Sequence, residues 1–342
     1  MGNASFSQQP LQDPRAYISN DLPKFIVQNR LGNGKFMKTY SATIDSSSVV
    51  IKVYIKPSDE DLTAVSKRLS HLLRTFSPMI HPNILPYQMW IKSSLKLPKT
   101  NATPVYLIRQ YLHMNLHDRL STRPFFNETE KIWIIFQLFK ILDICHSSGI
   151  MHGDVKPENI MCTSWNYVIL TDFASCFKPI NIPDDNPTDF QYYYDVMNRQ
   201  SCYIAPERFQ RKNINSNEDY NNISDYGYME SWTPAMDVFS LGCTIAEIWL
   251  NGEPLLDLPG MLKYVSQSVD RLDHEDSPAK ATLNKVNNRL IREVIADMTQ
   301  RDPERRLSIK QYFDILEGKA AFRNSNTVNE SPIFSPYFSE CI

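Results

Sequence analysis

Four polar residues near the middle of the chain have the types and the spacing that phosphoryl transfer requires. Asp154 lies two positions before Lys156 and five before Asn159, and Asp172 follows the apolar run at 168–170. Phosphoryl transfer needs a group that orients or deprotonates the acceptor hydroxyl, a cation on the phosphate and oxygen ligands for Mg²⁺. We interpret Asp154 and Lys156 as the catalytic pair, and Asn159 and Asp172 as the metal ligands. A turn that is merely rich in Asp and Asn does not predict this spacing.

A second group of residues, earlier in the chain, could hold the phosphates of a nucleotide. Gly32 and Gly34 stand between two strand-like segments, where bare backbone can approach phosphate oxygens, although most Gly-x-Gly pairs are ordinary hairpin turns. Lys52 ends the apolar run at 49–51 and could place a cation on the same phosphates, although a strand lysine is usually a solvated residue. We therefore take Gly32, Gly34 and Lys52 as candidate nucleotide-binding residues.

The elements that must position these residues fall into a β-rich region and a helical region, as hydrophobic periodicity indicates. The helix at 128–147 opens with the capping-box pair Asn127 and Glu130, and a later helix starts at Thr233 and Pro234. That later helix is apolar nearly all round, so we expect it to be buried. The predicted elements, in chain order, are strands within 24–56, a helix at 60–76, strands at 87–92 and 105–111, and helices at 128–147 and 234–251.

This pattern predicts one α+β domain with a small β-rich N-lobe and a larger helical C-lobe. The segments before and after the two lobes are polar. A further segment, within the C-lobe, is rich in Asn, Ser and Tyr. The predicted boundaries are a flexible leader at 1–23, an N-lobe at about 24–108, a hinge at about 109–113, a C-lobe at about 114–318 with an exposed insertion at 211–231, and a polar tail at 319–342.

Composition narrows the class of protein. The 342 residues are 42% hydrophobic and 22% charged, which is typical of a globular protein and excludes a largely disordered one. The formal net charge is −2, so nothing predicts a nucleic-acid partner. The six cysteines contain no Cys-x-x-Cys pair, which argues against a zinc site or a disulfide framework and favours a reducing compartment.

Several further motifs resemble those of protein kinases, and with the loop at 152–159 they predict the bilobal protein-kinase fold. The resemblance implies that Glu207 pairs with Arg306 and that Asp237 holds the backbone of the catalytic loop, so we assign these three residues structural roles. The matching motifs are His81-Pro82-Asn83-Ile84-Leu85, Asp172-Phe173-Ala174, Ala205-Pro206-Glu207, Asp237-Val238-Phe239-Ser240-Leu241-Gly242 and Asp302-Pro303-x-x-Arg306.

Four departures from the kinase pattern concern flexibility and switching. Met37 replaces the third glycine of the phosphate loop, and Ala174 replaces the glycine after Asp172 and Phe173. Gly153 replaces the arginine that contacts an activation-loop phosphate in many kinases. His71 stands where a kinase places the glutamate partner of its strand lysine, and no Asp or Glu occurs between Asp61 and Asp118. The sequence therefore predicts a nucleotide site with slow turnover.

Arg109 is a further unusual residue. The strand at 105–111 aligns with the kinase strand that leads into the hinge, which places Arg109 behind the purine. A guanidinium can donate to O6 or N7 of guanine but repels the adenine amino group. We therefore hypothesise that GTP competes with ATP at this site. The alternative is that Arg109 turns to an internal carboxylate.

The chain also resembles, over about residues 20–318, one particular family: the myristoylated, protein-kinase-like regulatory subunit of the class III phosphatidylinositol 3-kinase complex. The Gly153 and Ala174 departures belong to that family's pattern. The segments that carry the resemblance are Arg109-Gln110-Tyr111, Leu116-x-Asp118-Arg119-Leu120-Ser121-Thr122-Arg123-Pro124, His152-Gly153-Asp154, Thr163-Ser164-Trp165-Asn166, Thr171-Asp172-Phe173-Ala174-Ser175, Asp185-Asn186-Pro187 and Cys202-Tyr203-Ile204-Ala205-Pro206-Glu207-Arg208-Phe209.

The resemblance implies a regulatory serine/threonine-kinase-type domain that uses ATP and Mg²⁺. Implied partners are the lipid kinase catalytic subunit and a Beclin-like subunit, in endosomal sorting, vacuolar protein sorting and autophagy. Family members carry helical repeats and a propeller beyond the kinase domain. The start of the chain matches an N-myristoylation site at Gly2, except that Phe6 stands where Ser or Thr is usual. We therefore expect a cytoplasmic protein that is peripheral on endosomal and autophagic membranes.

Three classes of function remain open from the sequence. A slow serine/threonine kinase is favoured by the complete set of Lys52, Asp154, Lys156, Asn159 and Asp172. A catalytically inactive nucleotide-binding module is favoured by the four departures. A small-molecule phosphotransferase is disfavoured, because Ala205-Pro206-Glu207 and the following helices have the protein-kinase arrangement.

Overall fold

The computed structural model of the chain describes residues 14–32, 34, 36–55, 62–77, 79–94, 96, 103–183, 187–194, 201–210, 231–267, 269–321, 332–334 and 338. The predictions about Gly2 and about the insertion, apart from its last residue, lie outside these described residues. No helix within these ranges is long and apolar enough to span a membrane.

The described residues form strands and helices that belong to two compact units, Met1–Leu62 with Tyr87–Tyr111 and Thr63–Pro86 with Leu112–Ile342. The strands are β1 (Ile26–Gly32), β2 (Met37–Ile44), β3 (Ser47–Tyr54), β4 (Ile84–Leu85), β5 (Met89–Lys92), β6 (Val105–Gln110), β7 (Ile160–Cys162), β8 (Val168–Thr171), β9 (Ile182–Pro183) and β10 (Phe209–Gln210). The helices are α1 (Pro14–Asp21), α2 (Leu62–Thr75), α3 (Leu116–Leu120), α4 (Glu128–Ser147), α5 (Pro187–Tyr194), α6 (Pro234–Trp249), α7 (Leu258–Ser266), α8 (Lys280–Leu283), α9 (Arg289–Met298) and α10 (Ile309–Leu316).

The first unit is built on one antiparallel sheet with the strand order β1-β2-β3-β6-β5. Alternating side chains such as Tyr40, Ile51 and Tyr106 are at most 1% exposed and form its core. Together with Ala42, Val53 and Ile108 they occupy every second position of β2, β3 and β6, so they lie on the same face of the sheet. The predicted meander of strands is confirmed.

Helix α1 covers one face of this core, although the sequence predicted a flexible leader there. Ile18 is fully buried and Leu22 is 5% exposed, and both belong to the sheet's core cluster. The hydroxyl of Tyr106 donates to Oδ2 of Asp21 at 2.6 Å. Two apolar residues at i and i+4 lie on one side of a helix, and they bury that side although the segment is polar on average. The prediction of a flexible leader is therefore wrong for 14–22.

The second unit begins earlier in the chain than the predicted C-lobe. Helix α2 confirms the helix predicted at 60–76, with Leu69 fully buried, but it groups with the second unit. Strand β4 follows it and pairs in parallel with β8, and Nδ2 of Asn83 donates to the Val168 carbonyl at 2.7 Å. These long-range hydrogen bonds assign 63–86 to the helical unit rather than to the β-rich one.

Helices α4 and α6 form the interior of the second unit. Asn127 and Glu130 make the predicted reciprocal capping box at the start of α4. Every residue of α6 from Met236 to Trp249 is buried, as its mostly apolar sequence predicts. A Cβ atom at Gly242 would lie 2.8 Å from Cγ2 of Thr299, so glycine permits the close approach of α6 to the end of α9. The predicted α+β class is confirmed.

The end of the chain is not purely a polar tail. Phe334 is 1% exposed, and its ring centroid lies 5.3 Å from those of Phe136 and Phe313. The Ile333 and Phe334 amides both donate to the Leu316 carbonyl. The average polarity of the segment does not predict this contact, because one aromatic side chain can dock a terminal segment onto a helical surface. We call the buried ring of Phe334 the anchor of this segment.

Candidate active site

The pairing of β7 with β8 brings the two predicted metal ligands to the same end of a small sheet. A short 3-10 helix, Pro157–Asn159, leads directly into β7, and Asp172 follows the last residue of β8. Ile160 lies opposite Leu170, and Oγ1 of Thr171 donates to the Asn159 carbonyl at 3.1 Å. The antiparallel register therefore places Asn159 beside the residue that precedes Asp172.

Asp154 is the centre of the predicted catalytic group and is only 4% exposed. Nδ2 of Asn159 donates to the backbone carbonyl of Asp154 at 2.8 Å and to its Oδ2 at 3.1 Å. The Lys156 ammonium lies 3.4 Å from the same Oδ2. The structure thus brings Asp154, Lys156 and Asn159 together, although the roles assigned to them remain predictions.

Lys178 is a partner of Asp154 that sequence reasoning missed. Its Nζ donates to Oδ2 of Asp154 at 2.7 Å and lies 4.3 Å from the ring centroid of Tyr194. No motif pointed to it, because a lysine six residues after Asp172 is unremarkable in the sequence. Two ammonium groups therefore lie on one carboxylate oxygen.

These charges set the protonation states of the group. Burial by itself raises the pKa of Asp154, but Lys156 and Lys178 outweigh it and hold that pKa well below the usual carboxyl range. Burial likewise opposes the charge of Lys156, yet Asp154 and Glu158 raise its pKa above the usual value. Asp154 and Lys156 are therefore ionised at neutral pH, and Asp154 is a weak proton acceptor.

Asp172 has a backbone conformation that is rare for residues other than glycine, with φ of 65°. The following residue fixes it, because Phe173 is 1% exposed and its ring centroid lies 4.7 Å from that of His152. The Ala174 amide donates to the His152 carbonyl at 2.9 Å. Tight packing of its neighbours can hold such a strained residue in place.

The donor set at this end of the sheet fits magnesium. Asp172 offers a carboxylate, and the Asn159 contacts with Asp154 are made by Nδ2, which leaves Oδ1 as the oxygen suited to a cation. Among the described residues no group of three or more His, Cys, Asp or Glu could hold a metal ion. Mg²⁺ does not need one, because it usually takes one or two protein ligands and completes its shell with water and substrate phosphates.

Asp237 accepts hydrogen bonds from the backbone of the catalytic loop, which is the structural role that the kinase resemblance implied. Its Oδ2 accepts the His152 amide at 2.7 Å and Nε2 of His146 at 3.1 Å, and its Oδ1 accepts the Gly153 amide at 2.8 Å. Burial raises the pKa of Asp237, but these donors more than offset it and the net shift is downward. A carboxylate that accepts several hydrogen bonds stays ionised even when it is 1% exposed.

His152 is neutral within this framework. Its Nε2 donates to the Thr171 carbonyl at 2.8 Å, while its Nδ1 accepts the Asp154 amide at 3.2 Å. Burial lowers its pKa, which agrees with a neutral ring that donates at one nitrogen and accepts at the other. The ring therefore links the end of β8 to the backbone at Asp154.

Glu207 and Arg306 form the buried ion pair that the resemblance implied. The two Nη atoms of Arg306 donate to the two carboxylate oxygens at 2.8 and 2.9 Å, and both side chains are 0% exposed. Nε of Arg306 also donates to the Gln300 carbonyl at 2.8 Å. Residues 172–207 correspond to the activation segment of kinases, and Glu207 is its last residue. The two-fold contact with Arg306 therefore ties the end of this segment to the part of the chain that follows it.

The candidate nucleotide-binding residues belong to the first unit and are described within it. Gly32 ends β1 opposite Thr39, and the Gly34 carbonyl accepts Nζ of Lys38 at 2.7 Å. Lys52 lies in β3 between Thr39 of β2 and Leu107 of β6, with its side chain partly exposed. Their role toward a nucleotide remains a prediction.

Arg109 lies in β6 and is only 6% exposed. Its backbone pairs with Val50, and its Nη1 donates to the Gln110 carbonyl at 3.1 Å. A buried guanidinium normally has several polar partners. The role of Arg109 toward a nucleotide remains a prediction.

Comparison with known proteins identifies the architecture. The family model for the protein kinase domain matches residues 25–315. This chain belongs to the protein kinase family. The match covers the catalytic loop, the Ala205-Pro206-Glu207 motif and Arg306, so the kinase domain predicted from the motifs is confirmed.

The chain is also similar to protein kinases that carry the name VPS15. The chain is 38% identical over 306 residues to "Serine/threonine-protein kinase VPS15" of Arabidopsis thaliana, covering 88% of this chain and 19% of that protein. It is 39% identical over 298 residues to "Probable serine/threonine-protein kinase vps15" of Dictyostelium discoideum, covering 86% of this chain and 14% of that protein. The VPS15 kinase of Saccharomyces cerevisiae is 38% identical over 291 residues, or 85% of this chain and 18% of that protein. The kinase domain thus spans less than a fifth of the length of these relatives.

Proposed function

We propose that this chain binds a purine nucleoside triphosphate with Mg²⁺ and transfers its γ-phosphoryl group slowly to a serine or threonine hydroxyl. The observation that carries the proposal is the contact of Asp154 with Asn159 and with the ammonium group of Lys156. A positioned carboxylate, a nearby cation and magnesium-type oxygen ligands are the components that this chemistry requires.

In the proposed reaction Asp154 orients the acceptor hydroxyl, and Lys156 neutralises charge on the transferring phosphoryl group. Because the pKa of Asp154 is held low, the carboxylate positions the hydroxyl and takes up its proton only late. Asn159 and Asp172 would hold Mg²⁺, which supplies a positive charge for the phosphate oxygens when it is bound. Gly32, Gly34 and Lys52 are retained as candidate contacts to the nucleotide.

The second candidate function is a nucleotide-binding regulatory module without phosphoryl transfer. Lys178 favours it, because its ammonium binds one of the two carboxylate oxygens of Asp154 and would compete with an acceptor hydroxyl for that carboxylate. A lysine at 2.7 Å in a site that is 4% exposed also opposes proton uptake by that carboxylate. Slow transfer and no transfer are therefore the two outcomes to separate.

A transfer assay separates them. The purified chain is incubated with γ-labelled ATP and Mg²⁺, alongside Asp154→Ala, Asp172→Ala and the control Asp314→Ala, whose carboxylate lies in an exposed pair with Lys310. Label transfer in the wild type and the control, with loss in both site variants, supports a kinase. Equal signal in all four proteins would identify a contaminating kinase. Nucleotide binding without transfer would leave the regulatory module.

The identity of the nucleotide needs its own test. Buried Arg109 supports GTP as a competitor of ATP, since a guanidinium pairs with guanine acceptors. Thermal stabilisation is measured with ATP and GTP, each with and without Mg²⁺, in the wild type and in Arg109→Met. We expect the variant to lose stabilisation by GTP more than by ATP. A clear preference of the wild type for ATP would reject GTP as the ligand.

For the whole protein we propose the regulatory role that the resemblance implies. The chain would act with a class III phosphatidylinositol 3-kinase catalytic subunit and a Beclin-like subunit in endosomal sorting and autophagy. Myristoylation at Gly2 would give it a peripheral place on endosomal and autophagic membranes, and one acyl chain binds a membrane only weakly, so the complex must contribute the rest. Support comes from the VPS15 names of the relatives. Co-purification with these two subunits, and the mass of the N-terminal peptide, test these proposals.

A further inference from the structure

Gly153 stands where many kinases have an arginine in the catalytic loop. The space beside Gly153 is occupied by the side chain of another residue, Trp232. Gly153 has φ of 80°, and a Cβ atom built there would lie 2.8 Å from Cζ3 and 2.9 Å from Cη2 of Trp232. A side chain at 153 would therefore be strained and would collide with the indole ring. Trp232 and the catalytic loop fit one another only while residue 153 is glycine.

The Trp232 ring in turn carries the guanidinium of Arg208. The carbon Cζ of Arg208 lies 4.5 Å from the ring centroid of Trp232 and 5.3 Å from that of Tyr194. Arg208 is 1% exposed and is the largest of the fully buried side chains. A guanidinium this close to aromatic rings gains a favourable cation–π contact, which helps to stabilise a buried charge.

The hydrogen bonds of Arg208 join the catalytic loop to the activation segment, which runs from Asp172 to Glu207. Its Nη1 donates to the Gly153 carbonyl at 3.1 Å. Its Nε donates to the Ile180 carbonyl at 2.9 Å, and its Nη2 donates to the Pro179 carbonyl at 3.0 Å and to the Tyr194 hydroxyl. One guanidinium thus binds the loop at one point and the activation segment at three.

The acceptors around this guanidinium are neutral oxygens. Three are backbone carbonyls, and burial raises the pKa of Tyr194 to about 12, so its hydroxyl is uncharged at neutral pH. No phosphate or carboxylate is needed to complete these contacts. In kinases that are switched by phosphorylation, a new phosphate–arginine contact orders the same segment.

Local structure explains why Arg208 reaches these groups. It ends the 3-10 helix Pro206–Arg208, directly after Glu207 in its ion pair with Arg306. The next residue, Phe209, begins β10, which pairs in parallel with β9 just beyond Ile180. The parallel pairing sets the arginine beside the first part of the activation segment.

We propose that Arg208 is a positioning residue that takes over the task of the absent loop arginine and holds the activation segment in place without phosphorylation. The inference deepens the proposed function, because the ordered segment would present the acceptor to Asp154. It predicts that the order of this segment does not depend on the phosphorylation state of the chain.

Hydrogen exchange of the whole chain tests the proposal without requiring activity. The variants are Arg208→Lys, Arg208→Gln and Tyr194→Phe. The matched control is Arg305→Gln, because Pro303–Arg305 is a second Pro-Glu-Arg 3-10 helix whose arginine side chain is 58% exposed. Amides at 180–182 should exchange at least about tenfold faster in both Arg208 variants and less so in Tyr194→Phe, while α4 and α6 stay protected. A lysine keeps the charge but cannot bind four acceptors in a plane, so it should not rescue.

The second arm is treatment of the wild type with a broad-specificity phosphatase. We expect exchange at 180–182 to stay within about twofold of the untreated protein. The proposal is overturned if phosphatase speeds exchange as much as Arg208→Gln does, or if folded Arg208→Lys and Tyr194→Phe exchange like the control. Should Arg208→Gln fail to fold, the other two variants and the phosphatase arm decide.

Activity separates this proposal from the proposed function. If the wild type transfers phosphate, Arg208→Lys should lower kcat while KM for the nucleotide stays within about twofold. If the wild type transfers none, the proposed transfer fails, yet the exchange measurements still decide the role of Arg208.

Discussion

The Lys178 ammonium lies 2.7 Å from Oδ2 of Asp154, closer than the 3.4 Å that separates the same oxygen from Lys156. The predicted catalytic carboxylate is therefore bound more tightly by a residue of the activation segment than by its expected loop partner. This contact acts with Lys156 to lower the pKa of Asp154, and it occupies Oδ2, one of the two oxygens of that carboxylate. The contact is therefore a local reason to expect slow transfer.

Replacing Lys178 tests that reason. In Lys178→Met the carboxylate loses its closest cation, so the pKa of Asp154 should rise and the carboxylate should accept a proton more readily. We expect kcat to increase about threefold or more, a small part of the ~10²–10⁴ that a well-placed base contributes. The initial rate of label transfer measures it, with Lys178→Arg as the charge-retaining control. A lower rate in Lys178→Met would show that the lysine assists transfer.

The buried pair of Glu207 and Arg306 should be important for stability. Glu207→Gln leaves a buried guanidinium without its carboxylate, and breaking such a pair costs about 3–5 kcal/mol of the free energy of unfolding. The control Arg305→Ala removes only a half-exposed arginine and should cost at most about 1 kcal/mol. Urea denaturation of the whole chain, monitored by tryptophan fluorescence, compares the free energies of unfolding of the two variants. Equal midpoints would contradict the importance of the pair.

Asp237 should hold the catalytic loop through its charge. Asp237→Asn presents an amide N–H₂ to one of the backbone donors at 152 and 153, and losing a charged buried acceptor costs about 1.5–3 kcal/mol. We expect faster hydrogen exchange at 152–154 together with lower stability. An unchanged exchange rate at those amides would show that the loop is held by other contacts.

The same residue predicts a pH dependence. The folded-state pKa of Asp237 is lowered, so its stabilisation is present above the unfolded-state pKa of about 3.9 and is lost as pH falls through the folded value. The pKa of Asp154 is lowered too, so it acts in the same direction. Thermal midpoints between about pH 5 and pH 2 should fall toward acid more steeply in the wild type than in Asp237→Asn. Parallel curves would contradict the assignment.

The anchor at Phe334 should stabilise the second unit. Phe334→Ala removes a ring that is 1% exposed, and truncation of a buried phenylalanine costs about 3–5 kcal/mol. Trp165→Ala is the control, because Trp165 is 81% exposed and its loss should change stability by no more than about 0.5 kcal/mol. Equilibrium denaturation of both variants compares the losses. A small effect at Phe334 would mean that the terminal segment docks without stabilising the unit.

Short-range patterns were sufficient for much of the kinase domain. The bounds of α4 and its capping box follow from periodicity and from two residues three positions apart. The spacing of Asp154, Lys156 and Asn159 places them within hydrogen-bonding reach, because residues this close in sequence share one loop. Even the Glu207 and Arg306 pair, 99 residues apart, could be expected from its motifs.

The sequence could not show which distant side chains meet these motifs. Lys178 lies 24 residues from Asp154, and Arg208 lies 55 residues from Gly153, with no local pattern to link either pair. Helix α1 and Phe334 were hidden for a related reason, since one or two apolar residues bury themselves only when a surface elsewhere in the chain receives them.

In the catalytic loop at 152–159, some properties follow from the sequence and others only from the tertiary structure. Its residue types and spacing already identify the chemistry, because the ligands and charges of phosphoryl transfer are carried by neighbours along the chain. Its electrostatics come from folding, which places Lys178 on Asp154 and the Arg208 guanidinium on the carbonyl of Gly153. Charge and burial act through space, so the environment of Asp154 emerges only when segments far apart in sequence pack together.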